Sequence, residues 1–167
     1  MMENLTNPIW QKVFNLQNTL LRDTDDWVDN MPNLTHHFGP NVYIREIFME
    51  AKRHKIVIGC MHKTEHFNIV LTGRASVLMD PETGEWQEIK APCIFISKPG
   101  VKKVLEIHED MRWLTVHPLA EDKTEADMDE LEEMLVVEKP SKIHKEALIQ
   151  RELRQLARER DKQRRLA

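Results

Sequence analysis

Between Val42 and Pro118 the chain breaks into eight short strand-like runs, each closed by turn residues, and this pattern constrains the fold more than any other feature. The runs are Val42–Glu50, Ile56–Met61, His66–Leu71, Ala75–Met79, Trp86–Ile89, Cys93–Ser97, Lys103–Ile107 and Trp113–His117. Ala-Lys-Arg-His, Thr-Gly, Asp-Pro-Glu-Thr-Gly-Glu, Ala-Pro and Pro-Gly separate them. Short strands at such spacing, with those turns, predict an antiparallel sandwich or barrel. Asp80–Glu85 carries the strongest hairpin-loop signal.

Helical patterning lies on both sides of this block. Residues 8–22 open on Pro8, and Ile9, Val13, Leu16 and Leu20 fall at helical spacing, with Trp10, Phe14 and Leu21 widening the stripe. Residues 23–41, rich in Asp, Asn, Pro and Gly, read as a connecting loop. After Pro118 an acidic helix is expected over Thr124–Leu135, then a long helix after Pro140 with Ser141 as N-cap and Ile149, Leu153, Leu156 and Ala157 as its apolar stripe. The expected organisation is an N-terminal helix and linker (1–41), a β-barrel (42–118), and an acidic helix followed by a basic one (119–167).

A chain of 167 residues can bury a core without disulfides, and its apolar fraction of 41% and charged fraction of 31% fit a globular protein. Its apolar runs are far too short to cross a bilayer, and the N-terminus has no basic stretch followed by an apolar one. Cys60 and Cys93 lie in strand-like runs and read as reduced thiols. The net charge of −4 is unevenly distributed. From Pro140 onward nine Lys/Arg face four acids, so this tail is +5 and the remainder −9. The asymmetry suggests a job or a partner for the tail, and docking on a protein surface is favoured over a merely solvated helix and over nucleic-acid phosphate. Interspersed acids and missing aromatics argue against single-stranded nucleic acid.

Metal-capable side chains gather at one place, residues 59–73. His62 and His66 stand four apart, and Gly73 follows seven residues after the second. On a strand, residues of equal parity share a face, so Cys60, His62, His66, Asn68 and Val70 are expected on one side. Adjacent His36 and His37 would point opposite ways and read as loop histidines. No nucleophile elbow, Walker-type loop or Gly-x-Gly-x-x-Gly is present.

The strand block resembles a cupin, a small double-stranded β-helix (jelly-roll) barrel. Aligned on Gly73, the first cupin motif places His66 where the family has Glu, His62 at the second His and Cys60 at the first. Pro99-Gly100 loosely matches the second motif, with Lys103 near its His position, and Ala91–Ser97 resembles the strand that leads into it. The phrases MHKTEHFNIVLTGRASVL and APCIFISKPGVKKVLEIHEDMRWLTVHP are similar to short cupin-like proteins of tailed bacteriophages. The resemblance covers about residues 42–118. It implies a mainly-β cupin-type barrel, a self-associating partner surface, and a place in a virion or a host cytoplasm.

Three readings of the pocket follow. Family cupins typically hold a metal on three His and one Glu, and here only His62 keeps its chemistry. One divalent transition metal (Zn, Fe, Mn or Ni) would rest on His62, His66 and Cys60, with His108 or His117 as further candidates. Alternatively the histidines hydrogen-bond to Asn68, Thr64 or backbone in a relic pocket. The third reading uses the departure from the family: His62, His66 and Lys103 facing one cavity would favour an anion, with Asn68 beside it. The expected function is a non-enzymatic binding or assembly module with helix 141–167 as a contact surface. The alternative is a metal-dependent enzyme or small-molecule sensor using Cys60, His62 and His66.

Overall fold

The computed structural model describes residues 8–23, 31–79, 83–120, 123–124, 127–137 and 140–166. It is mainly β, with one N-terminal helix and C-terminal helices around a seven-stranded antiparallel sheet. The elements are α1 (Pro8–Asp23), β1 (Asn33–Gly39), β2 (Val42–Met49), β3 (Ile56–Ile58), β4 (His66–Leu78), β5 (Trp86–Lys90), β6 (Cys93–Ser97), β7 (Val104–Pro118), α2 (Met128–Leu135) and α3 (Pro140–Leu166).

β4 and β7 pair along their length and carry the architecture. The first half of β4 lies between β6 and the second half of β7, which continues to β2 and β1. The second half of β4 lies between β5 and the first half of β7, which continues to β3. Register shifts between Val70 and Ala75 separate the halves. Residues from both pack into one cluster, with Met49, Val57, Val70, Val77, Leu105 and Trp113 among them, so the halves face each other across the core.

This pairing revises the sequence reading in three places. Thr72-Gly73 is not a turn: the runs on either side of it are one strand. Likewise the runs expected at Lys103–Ile107 and Trp113–His117 are one strand, β7, which starts at Val104. Gly73 supplies the irregularity instead, with φ at +89°, and a Cβ there would stand 2.5 Å from the Asp110 carbonyl oxygen. Residues 33–39, read as loop, form β1 and pair with β2, so the sheet begins nine residues earlier than expected. β1 is mostly exposed, which removes the apolar alternation that would have marked it.

Two flanking clusters close the barrel. Val13 of α1 packs on Met61, Leu78 and Val104. Leu131, Leu135 and Val136, in and just after α2, pack on Tyr43 and Leu119. α2 starts at Met128, later than expected, while Asp127 accepts the Thr124 amide hydrogen at 2.8 Å. α3 begins at Pro140, which puts Ser141 inside the helix rather than at its cap. Trp27 and Asp80–Pro81–Glu82 of the expected hairpin loop lie outside the described residues. Among the described residues no helix is long and apolar enough to cross a membrane.

Candidate functional site

The inward faces of β2, β7, β4 and β6 build the site in rows, because equal-parity residues on paired strands stack side by side. One row runs Ile47, Trp113, Val70, Cys93. The next runs Arg45, Thr115, Asn68, Phe95. Tyr43 pairs with His117, and His66 with Ser97, one step closer to the barrel end. The interior thus grades from apolar, through a row with a cation and an amide, to a cluster of histidines.

That cluster is His62, His66 and His117, all buried. Their ring centroids are 4.1 Å (His62–His66), 5.2 Å (His62–His117) and 5.0 Å (His66–His117) apart. Tyr43 stacks on His117 at 6.0 Å, and its hydroxyl lies 2.7 Å from His36 Nδ1. His62 sits outside the regular strands. It is held by a β-bridge to Val136, by the Gly100 amide donating to its carbonyl, and by flanking bonds from Lys63 to Leu135 and from Val137 to Met61. The chain just after α2 therefore fixes the histidine that the sequence singled out.

Four of the six ring nitrogens lack polar partners. Both ring nitrogens of His62, Nε2 of His66 and Nδ1 of His117 have no hydrogen bond, while His66 Nδ1 lies 3.0 Å from the Thr64 carbonyl and His117 Nε2 3.1 Å from Thr115 Oγ1. Burial, with neighbouring cations, holds His62 far below the usual histidine range. Burial likewise brings His66 down to about 4 and His117 to about 3. All three are neutral at pH 7.

Among the described residues, no three His, Cys, Asp or Glu side chains are arranged to hold a metal ion. Ring geometry gives the reason. His117 meets His62 and His66 at interplanar angles of 24° and 30°, face against face. Imidazole lone pairs lie in the ring plane, so stacked rings do not aim them at a common point. As they stand, the three rings do not fit a shared ion. Cys60 is half-buried and packs toward the Tyr43–Leu135 cluster. His108 is elsewhere, 2.8 Å from Ser76 Oγ, and His37 turns outward to Glu46 at 2.8 Å.

Beside the histidines lies a cavity of about 570 Å³. His62, Cys60, Asn68 and Lys103 all line it, as do Arg45 and Trp113. Asn68 is fully buried and acts first as a strut: it accepts from Trp113 Nε1 at 2.9 Å and donates to Ser97 Oγ at 2.9 Å. Lys103 is only 7% exposed, and burial holds its ammonium down to about 8. Arg45 is 9% exposed; its nearest acid, Glu132, is 3.7 Å from Nη2, and its Nε and Nη2 have no hydrogen bond.

The sequence reading named His62, His66, Asn68, Cys60 and Lys103 but missed Arg45, Tyr43 and Trp113 as site residues. A signal for the first was present: Arg45 alternates with Tyr43, Ile47 and Met49 on β2, at a parity that faces inward.

No family model and no curated protein matches the chain. Solved structures that it is similar to include cupin superfamily proteins. A cupin superfamily protein from Desulfitobacterium hafniense has 8% identity and a TM-score of 0.42, covering 55% of this chain and 80% of that one. A putative ethanolamine utilization protein from Salmonella typhimurium has 16% identity and a TM-score of 0.43, covering 56% and 73%. The cupin domain of Schizosaccharomyces pombe Cnp3 has 14% identity and a TM-score of 0.43, covering 59% and 70%.

Proposed function

We propose that this chain is a binding protein whose ligand, a small organic molecule, occupies the barrel cavity. The observation that carries this is the cavity itself. Its volume of about 570 Å³ falls within the roughly 300–1,000 Å³ of small-molecule sites, and such sites pair apolar walls with a few converging polar groups. Here the apolar walls include Ile47, Met49 and Leu105, and the polar groups are Arg45, His62, Asn68, Lys103 and Thr115.

The test is native mass spectrometry of gently purified protein, followed by a small-molecule screen read by melting temperature and Trp113 fluorescence. Bound compounds should quench a signal that disappears in Trp113→Phe. Filling the cavity by Ile47→Trp, on the inward row, should weaken binding at least about tenfold in protein that still unfolds cooperatively. A screen in which nothing binds would refute the proposal. About one transition metal per chain, lost in a His62→Ala/His66→Ala variant, would support the metal-dependent enzyme reading in its place.

Self-association is a second reading, favoured by a separate observation. Ile149, Leu153 and Leu156 of α3 are 47%, 54% and 61% exposed, and so form an uncovered apolar stripe on the basic helix. A second copy is the proposed occupant, and the phage-like phrasing supplies a context, a virion or a host cytoplasm. Sedimentation of the full chain against a chain ending at residue 139 tests it; the same number of chains per particle in both would refute the helix as the contact.

A further inference from the structure

The cavity's charge is one-sided. Five cationic residues line it, Arg45, Lys52, Arg53, Lys55 and Lys103, and among the described residues no Asp or Glu does. The chain as a whole has more acids than bases, 28 against 24. An acidic protein has thus gathered a cationic wall around this interior space. Low-dielectric walls of one sign concentrate ions of the other.

The two inner cations decide the ligand's charge. Lys52 and Lys55 are exposed, and Arg53 has Glu50 at 3.9 Å, so water and neighbours satisfy these three. Lys103 and Arg45 are more than nine-tenths buried. Glu132 is the single acid described near Arg45, and among the described residues no acid is paired with Lys103. Lys102, next in the chain, is fully buried as well, but its Nζ lies 4.8 Å over the Phe14 ring and it does not line the cavity. Its neighbour Lys103 therefore faces the cavity, while Lys102 faces α1. Among the described residues, two buried cations and one carboxylate leave one positive charge, and a buried unpaired charge is costly. A single negative charge on a ligand removes that cost; a dianion would overshoot it.

We infer that the ligand is an organic monocarboxylate, its carboxylate held beside Lys103 and Arg45 and its apolar body against Ile47, Met49 and Trp113. This rests on reading the cavity as a ligand site. The His62, His66 and His117 rings, neutral at pH 7, bring no further positive charge to its edge.

Two matched pairs of probes test it by calorimetry at pH 7: octanoate with 1-octanol, and 3-phenylpropionate with 3-phenyl-1-propanol. In at least one pair the acid should bind at least tenfold more tightly than its alcohol. Lys103→Met should abolish that preference while leaving the alcohol's affinity within about twofold. Equal binding of acid and alcohol would overturn the carboxylate inference and leave the cavity as a ligand site. An acid preference that survives Lys103→Met would overturn the role of Lys103. Failure of all four probes to bind folded protein would overturn both the inference and the cavity reading. The acid-to-alcohol ratio of the unaltered protein tests charge recognition by itself, so the inference stays falsifiable even if Lys103→Met does not fold.

Discussion

His62, His66 and His117 are buried as neutral rings, and that burial links stability to pH. Each has a folded-state pKa below its unfolded value near 6.5, with His66 at about 4 and His117 at about 3. Below pH 6.5 the unfolded chain takes up protons that the folded chain refuses. The stabilisation is therefore complete above pH 6.5 and is lost as pH falls from there toward the folded pKa values. Each ring contributes a slope of up to about 1.4 kcal/mol per pH unit. Urea unfolding should show stability falling between pH 6.5 and 5, before most carboxylates titrate, and His117→Gln should make the fall shallower. A flat profile over that window would mean the rings are protonated in the folded state. At this scale the sequence showed His62 and His66 through their spacing, and Lys103 through its place after Pro99-Gly100. His117 was a candidate beside His108 but could not be placed, because its contact with His66 depends on how β4 registers against β7, and neither strand encodes that register locally.

Among the elements, β4 and β7 depend on one glycine and the barrel end depends on α2. Gly73 has φ +89°, and a Cβ there would lie 2.5 Å from the Asp110 carbonyl oxygen and 2.7 Å from Met111 Cα. Both atoms are backbone, so no side-chain rotation relieves the clash. Gly73→Ala should cost about 3 kcal/mol or more in urea unfolding; a cost under about 1 kcal/mol would show that the irregularity can move. Leu135 is 8% exposed and packs with Tyr43, while its carbonyl accepts the Lys63 amide hydrogen. Leu135→Ala should lose about 2–4 kcal/mol. It should also speed amide exchange of Lys63 and Val137, the bonds that flank His62, and unchanged exchange there would separate α2 from the site. The strand block was legible because turn residues bound β2, β5 and β6 closely. The joining of two runs into β4 was not, since Thr-Gly reads locally as a turn and only pairing with β7 makes it an irregularity within a strand.

For the whole molecule, the remaining question is what covers its outer face. The rule that sends Asn68 and Val70 inward sends Phe67 and Leu71 outward, and they are 51% and 49% exposed. On β6, Ile94 and Ile96 are 68% and 53% exposed, and Phe67 pairs with Ile96 in register, so the four form one patch. Contiguous apolar surface of roughly a few hundred Å² marks interaction sites. β6 pairs with β4 alone among the described strands, so its other edge offers unpaired backbone groups. An edge and a patch on the same strand suit a second copy related by a two-fold axis, because the surface then meets itself. A stable interface needs about 800 Å² from each partner, so the patch would form its centre and flanking residues its rim. The chain should sediment as a dimer at tens of micromolar, and if the sheet face rather than the α3 stripe is the contact, Ile94→Lys/Ile96→Lys should yield monomer. Because those side chains are already exposed, the double variant should change monomer stability by no more than about 1 kcal/mol. A wild-type monomer at that concentration would remove the sheet face from consideration. A dimer unaffected by the double variant would move the contact to the stripe of α3.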